Sequence, residues 1–175
     1  MVACRRARLD ICIEQLFEAI SHTEEKTVLE DRTMSQELPK TNTKPRIRHT
    51  MLRVADLDES VRFYEEVLDM IVFRRNDNES QKYSVVFLGY GDEDTHPAIE
   101  LTYNWGVDQP YEKGTGYGHI AIGVPDIYEI CRRVEARGME VPRPPGPLKG
   151  RGPNGPVIAF IRDPDGYSIE LGQRP

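Results

Sequence analysis

Two histidines and two glutamates recur at matched positions in this chain: His49, Glu100, His119 and Glu170. The two histidines are 70 residues apart, and the two glutamates are separated by the same 70 residues. Two imidazoles and two carboxylates make a nitrogen and oxygen ligand set that suits Zn²⁺, Ni²⁺, Co²⁺, Fe²⁺ or Mn²⁺. An ion held by such a set keeps open coordination positions. These favour Lewis-acid chemistry on a substrate that carries oxygen atoms.

The sequence around these residues is itself repeated. HTMLRVADLDES at 49–60 matches HIAIGVPDIYEI at 119–130, and IELTYN at 99–104 matches IELGQR at 169–174. A single His or Glu is more often an ordinary surface residue than a ligand. Two separate segments that agree at one offset, however, indicate a duplication. We therefore expect two copies of one structural module, at about 46–108 and 116–174.

Each module is predicted to contain a strand, a helix and three further strands. Asp56 and Asp126 stand at helix N-cap positions, and Glu59 and Glu129 follow at the spacing of a capping box. Strands are predicted at 47–54, 70–74, 83–88 and 98–103, and again at 119–124, 139–141, 157–161 and 167–171.

The predicted fold class is thus α+β, with two βαβββ modules. In such a module the first and last strands can be neighbours, which would place one His and one Glu on the same face. A four-stranded sheet with one helix leaves its second face open. The two modules are therefore expected to pair their sheets with each other or with a second chain.

Composition and charge exclude several classes of protein. The chain of 175 residues has 23 Lys and Arg against 29 Asp and Glu, which gives a net charge of −6. It lacks the basic footprint of a nucleic-acid-binding protein, and no apolar run approaches the ~20 residues of a membrane span. Its cysteines, Cys4, Cys12 and Cys131, are too widely spaced for a disulfide framework. These features favour a cytoplasmic protein without nucleic-acid or membrane partners.

Residues 1–44 differ from the rest of the chain. After a short amphipathic stretch they are polar and show no hydrophobic period, which is typical of a flexible leader. Acidic residues interrupt the amphipathic stretch and argue against a secretory signal or a transit peptide. Translation that begins at Met34 would leave most of this leader out of the natural protein. The folded domain is expected at 45–175.

The segments that contain the four candidate ligands resemble the glyoxalase I family of the vicinal-oxygen-chelate superfamily. The matching segments are RHTMLRVADLDESVRFYEEVLDM at 48–70, VVFLGYG at 85–91, IELTYNWG at 99–106, GYGHIAIGVPDIY at 116–128 and IAFIRDPDGYSIEL at 158–171. The resemblance spans about residues 44–172. It implies the glyoxalase fold of two βαβββ modules, paired in a homodimer.

The resemblance also implies an activity, that of a lactoylglutathione lyase. Such an enzyme detoxifies methylglyoxal by isomerising its hemithioacetal with glutathione to S-D-lactoylglutathione. The implied metal ligands are His49, Glu100, His119 and Glu170. Glu170 would also be the catalytic base, with Glu100 mainly a ligand that assists on the other face of the substrate.

Further residues match positions of this family that bind glutathione. Arg53 and Asn104 would hold the glutamyl end, since a guanidinium fork suits a carboxylate and an amide both donates and accepts hydrogen bonds. Lys149 and Gly150 resemble the loop that meets the glycyl carboxylate.

The connection from Asn104 to His119 is short, as in the compact bacterial form that Ni²⁺ or Co²⁺ usually activates, whereas the Zn²⁺-dependent form tends to carry extra segments. The ligand types are the same in both forms, so they leave the metal open. The family arrangement implies active sites shared between two subunits, with the first His–Glu pair from one chain and the second pair from the other.

Two other kinds of function remain open at this point. The first is another enzyme of the superfamily, an Fe²⁺-dependent extradiol dioxygenase or a metal-dependent epimerase. A dioxygenase needs only two His and one Glu, so the fourth ligand, Arg53 and Asn104 would be unexplained. The second is a metal-free module that binds a small ligand, which would have no use for four metal ligands.

Overall fold

The computed structural model describes residues 44–107, 109–152 and 155–174. The chain divides into two units, Met1–Pro45 and Arg46–Pro175. All the secondary structure described below belongs to the second unit. The predictions for residues 1–43, including the flexible leader and the start at Met34, lie outside the described residues.

Two βαβββ modules follow one another in the second unit. The first consists of β1 (His49–Arg53), α1 (Leu57–Glu66), β2 (Ile71–Asn78), β3 (Tyr83–Gly89) and β4 (Ala98–Asn104). The second consists of β5 (Ile120–Val124), α2 (Ile127–Ala136), β6 (Arg143–Pro147), β7 (Val157–Arg162) and β8 (Ser168–Gln173). The predicted α+β fold class with two βαβββ modules is confirmed.

Each module forms one four-stranded sheet in which the first strand lies beside the last. The strand orders are β1-β4-β3-β2 and β5-β8-β7-β6. The pairs β1–β4 and β5–β8 are parallel, and the other neighbouring strands are antiparallel. A parallel pair needs a crossover, which the rest of the module provides. This topology brings the start of each module next to its end, where the candidate His and Glu residues lie.

An aspartate begins each helix, as predicted. Asp56 Oδ1 accepts a hydrogen bond from the backbone N of Glu59 at 2.9 Å, and Asp126 Oδ1 accepts one from Glu129 at 2.9 Å. The carboxylates of the two glutamates bind arginines of their own helices instead of completing a capping box. Both helices have 10 residues. No helix within the described ranges is long and apolar enough to cross a membrane.

One predicted strand of the second module is in the wrong place. A strand was expected at 139–141, but β6 is formed by Arg143–Pro147, whose sequence is RPPGP. Met139 instead follows the end of α2, where its backbone N donates to Val134 O at 3.2 Å. The side chains of Met139 and Val141 pack on the core from this connection. Prolines are tolerated in β6 because it is an outer strand of its sheet.

The helix-covered faces of the two sheets share one apolar core. Its fully buried members come from both modules and include Val54, Leu88, Leu101, Val134, Ile161 and Leu171. Along β4 the side chain of Leu101 enters this core, and its neighbours Glu100 and Thr102 lie on the opposite face. Each sheet therefore buries one face and presents an open face, with both polar and apolar side chains, that the rest of the described chain does not cover with a helix.

A turn of the second module binds the first module through side-chain carboxylates. Asp163 is 2% exposed and accepts a hydrogen bond from Tyr64 Oη at 2.9 Å. Asp165 accepts hydrogen bonds from the backbone N of Ala55 at 2.8 Å and from Ser60 Oγ at 3.0 Å. Burial raises the pKa of Asp163 to about 6. These bonds fix the end of β1 and the start of α1 against the turn that precedes β8.

Candidate metal centre

His49 and Glu100 lie side by side on the open face of the first sheet. His49 begins β1, and Glu100 is opposite Met51 on the neighbouring strand β4. The distance between His49 Nε2 and Glu100 Oε2 is 3.1 Å, with side chains that are 40% and 17% exposed. Thr102 Oγ1 donates a hydrogen bond to the other carboxylate oxygen of Glu100 at 3.1 Å. A nitrogen and an oxygen ligand therefore stand within reach of one ion.

His119 and Glu170 occupy the equivalent place in the second module. His119 immediately precedes β5, and Glu170 is opposite Ala121 on the neighbouring strand β8. The distance between His119 Nε2 and Glu170 Oε2 is 3.5 Å, and the side chains are 43% and 27% exposed. The repeat detected in the sequence thus places each His beside its own Glu.

A phenylalanine stands beside each of these histidines. The rings of His49 and Phe87 meet edge to face with centroids 5.4 Å apart, as do the rings of His119 and Phe160, also at 5.4 Å. Phe87 is paired with Glu100 across β3 and β4, and Phe160 is paired with Glu170 across β7 and β8. The aromatic rings limit the orientations available to the imidazoles. This contact was not predicted from the sequence, although both phenylalanines lie in apolar strand segments.

The two His–Glu pairs do not meet within one chain. Among the residues that the structure describes, no group of three or more His, Cys, Asp or Glu side chains lies close enough to hold one ion. One chain therefore presents two separate half-sites, each with one imidazole and one carboxylate.

A cavity of about 500 Å³ lies on the open face of the first sheet. Glu100, Arg53 and Asn104 all line it, so one candidate metal ligand and the two residues predicted to hold the glutamyl end share a wall. Asn104 Nδ2 donates a hydrogen bond to Tyr111 Oη at 2.9 Å. Arg74, which also lines the cavity, lies 3.5 Å above the centre of the Phe87 ring.

A second cavity, of about 460 Å³, lies on the open face of the other sheet. Among the described residues that line it, Lys113, Arg143 and Arg162 are basic and none is acidic. The two arginines were missed from the sequence, although Arg162 follows Phe160 at the strand period of two and must share its face. Lys149 and Gly150 follow β6 in an exposed turn and are not among the residues of this cavity wall.

Comparison with known proteins identifies the family. The Glyoxalase/Bleomycin resistance protein/Dioxygenase superfamily matches residues 46–171. A protein of Vibrio cholerae serotype O1, named "Probable lactoylglutathione lyase", is 58% identical over 128 residues, which are 73% of this chain and 90% of the relative.

Two solved structures extend the comparison. Glyoxalase I from Zea mays superposes with a TM-score of 0.68 at 46% identity over 74% of this chain, which spans only 44% of the maize chain. The trypanothione-dependent glyoxalase I of Leishmania major superposes with a TM-score of 0.63 at 42% identity, over 74% of this chain and 87% of that one. Because the matched residues cover both modules and both His–Glu pairs, this chain belongs to the Glyoxalase/Bleomycin resistance protein/Dioxygenase superfamily, and within it to the lactoylglutathione lyases, or glyoxalase I enzymes.

Proposed function

We propose that this protein isomerises the hemithioacetal of methylglyoxal and glutathione to S-D-lactoylglutathione and so detoxifies methylglyoxal. The observation that carries the proposal is the His–Glu pair. It occurs twice with similar geometry, at 3.1 and 3.5 Å, on the open faces of two sheets. We also propose a cytoplasmic location, where the buried free thiol of Cys131 would stay reduced.

The donor atoms of the two pairs fit a divalent metal. Each pair brings one imidazole nitrogen and one carboxylate oxygen close together, and two pairs give an N₂O₂ set with room for substrate or water. A divalent metal held by His49, Glu100, His119 and Glu170 would stabilise the negative charge that develops on adjacent substrate oxygens during proton transfer. We favour Ni²⁺ or Co²⁺ over Zn²⁺, because the connection between the modules is short.

The chain itself must hold the thiol and move a proton. Arg53 and Asn104 would bind the glutamyl end, a role supported by their shared cavity with Glu100. Lys149 and Gly150 are proposed to meet the glycyl carboxylate from their exposed turn. The Leishmania major relative is trypanothione-dependent, so membership of the family does not by itself select glutathione.

Glu170 is proposed as the base. Its carboxylate would take the proton from C1 of the hemithioacetal and return it at C2, which requires it to loosen from its position as a ligand. Glu100 would remain mainly a ligand and assist on the other face of the substrate. Cysteine chemistry is not needed for this reaction, and Cys131 is buried away from both half-sites in the core.

We further propose a homodimer whose sites are shared between subunits. The separation of the two His–Glu pairs within the described residues supports this arrangement. Each half-site also has a cavity beside it, the first toward the end of β4 and the second toward the start of β8.

The reaction is tested by following thioester formation with metal-free protein to which Ni²⁺, Co²⁺ or Zn²⁺ is restored in turn. We expect turnover to return with each metal that binds, and most strongly with Ni²⁺ or Co²⁺. Metallated protein that forms no thioester with any of them would contradict the lyase proposal.

Shared sites are tested by complementation. A chain with His49→Ala and Glu100→Ala is mixed, under exchange conditions, with a chain that carries His119→Ala and Glu170→Ala. In a mixed dimer with shared sites, one site collects all four substitutions and the other is intact, so activity should reappear. A mixture that stays inactive although light scattering shows that subunits have exchanged would place the site within one chain.

A further inference from the structure

The two carboxylates of the proposed centre are not held in the same way. Glu100 accepts a hydrogen bond from Thr102 Oγ1 at 3.1 Å on one oxygen, and its other oxygen lies 3.1 Å from His49 Nε2, the atom that would share a metal with it. Thr102 is 8% exposed, so its hydroxyl has little access to competing water. Turning the Glu100 side chain would break a hydrogen bond to a charged acceptor, the stronger class of hydrogen bond.

Glu170 has a looser environment. Its carboxylate lies 3.5 Å from His119 Nε2 and is more exposed than that of Glu100, at 27% against 17%. Within the described ranges no hydroxyl donates to it. At the position that corresponds to Thr102 by the offset of 70, the second module has Gly172.

Crowding around position 172 does not explain why the second module lacks a hydroxyl there. Residues two apart on a strand share a face, so a side chain at 172 would stand beside Glu170 just as Thr102 stands beside Glu100. A Cβ atom added at Gly172 would meet no heavy atom within 4 Å. Within one chain, the second sheet therefore has room for a side chain that begins at this Cβ position.

We propose that Thr102 is a positioning residue that keeps Glu100 in place as a ligand, and that glycine at position 172 leaves Glu170 free to leave the ligand set and carry the proton. This inference rests on the proposed function, since it assigns different tasks to two ligands of that site. It gives a structural reason why one of two glutamates related by the repeat acts as the base.

The first test measures metal affinity without any reaction. Metal-free wild-type, Thr102→Val and Thr102→Ser proteins are titrated with Ni²⁺ alone by calorimetry. Loss of a group that orients a ligand typically weakens metal binding by ~10–100-fold, so we expect the valine variant to fall in this range. Serine keeps the hydroxyl and should restore most of the affinity. Equal affinities for the valine and wild-type proteins would overturn the role of Thr102.

The second test places the missing hydroxyl beside Glu170. Gly172→Thr is compared with Gly172→Val, which has the same shape without the hydroxyl. We expect kcat of the threonine variant to be about 10-fold lower than that of the valine variant, the effect of one hydrogen bond to a charged group, with similar KM values. Equal kcat values in the two variants would overturn the proposal for Glu170.

The two tests separate this inference from the proposed function. If wild-type protein forms no thioester with any metal, the lyase proposal fails, and the Ni²⁺ titration still decides whether Thr102 holds Glu100. If wild-type protein turns over but the threonine and valine variants at 172 behave alike, the lyase proposal stands and the inference about Glu170 fails.

Discussion

The phenol of Tyr167, in the second module, donates a hydrogen bond to the backbone oxygen of Arg53, in the first module, at 3.0 Å. Tyr167 is 8% exposed, and its ring packs edge to face on Tyr117 with centroids 5.1 Å apart. Tyr167 also lies one residue before β8, the strand that carries Glu170. Through Tyr167, Arg53, which is proposed to bind glutathione in one site, is therefore connected by a short segment of backbone to Glu170, the proposed base of the other site.

Removing the hydroxyl of Tyr167 should weaken substrate binding more than it lowers the rate of the chemical step. In Tyr167→Phe the end of β1 loses a hydrogen bond worth about 1 kcal/mol, so Arg53 is held less firmly. We expect a KM for the hemithioacetal that is roughly 3–10-fold higher and a nearly unchanged kcat, measured by steady-state kinetics. Tyr128→Phe is the control, since Tyr128 is 54% exposed on α2. A lower kcat at unchanged KM would contradict the positioning of Arg53 by Tyr167.

Substitution of a proposed ligand should release the metal. Glu100→Gln and His119→Gln keep the approximate shape of the side chain but weaken a donor. We expect metal affinity to fall by more than the ~10–100-fold that is typical of residues that only support a ligand. Metal content after dialysis and calorimetric titration measure the loss. His96→Gln, at an exposed histidine outside both half-sites, should bind metal like wild type. Full occupancy and activity in either ligand variant would show that the assignment is wrong.

Substitution of Glu170, the proposed base, should lower turnover more than it lowers metal occupancy. Loss of a general base typically lowers rates by roughly 10²–10⁴-fold, so Glu170→Gln should lose turnover in this range even after metal is restored. Turnover is divided by measured metal content to separate the two effects, and the exposed Glu140→Gln serves as a charge-matched control. Normal turnover per bound metal in Glu170→Gln would show that another group acts as the base.

The buried carboxyl of Asp163 should make stability depend on pH. Burial raises its pKa from 3.8 to about 6, against the opposing hydrogen bonds from Tyr167 N and Tyr64 Oη. Because the pKa is higher in the folded state, the folded protein binds the proton more tightly than the unfolded chain. This contribution is complete below about pH 4 and is lost as pH rises through about 6. At 1.36 kcal/mol for each pKa unit, it amounts to roughly 3 kcal/mol.

Asp163→Asn isolates this effect, since an amide stays neutral and can still accept from Tyr167 N. Urea unfolding of both proteins at several pH values between 4 and 7 should show wild type losing stability relative to the variant as pH rises. Parallel stability curves would mean that Asp163 keeps an ordinary pKa in the folded protein.

Much of the fold could be predicted from the internal repeat. The offset of 70 gave two modules, and the aspartates at 56 and 126 gave both helix starts, because N-capping depends on local sequence. The position of β6 was missed because apolar Met139 and Val141 look like a strand, while RPPGP lacks the amide donors that an inner strand needs. Whether prolines are acceptable depends on a strand's place in the sheet, which a local pattern does not reveal.

The candidate site was predictable in part. Pairing of each His with its Glu followed from the first and last strands being neighbours. The distance between the two pairs depends on how the modules pack, which is fixed by contacts such as that of Asp165 with Ala55 and has no local signature. The hydrogen bond from Thr102 to Glu100 could have been anticipated from their spacing on β4, but its absence in the second module gains meaning only from the space around Gly172.

The prolines of β6 also bear on how this protein can aggregate. β6 is one of the two outer strands of the second sheet, and three of its five residues lack a backbone N–H. A strand from another molecule that docked there would find too few donors to continue the ladder, which is one way in which proteins prevent sheets from growing into fibrils. Expression at high concentration, or partial unfolding that leaves this sheet intact, should therefore not extend the second module through β6. The other outer strands, β1, β2 and β5, contain no proline, so this protection is confined to the β6 edge.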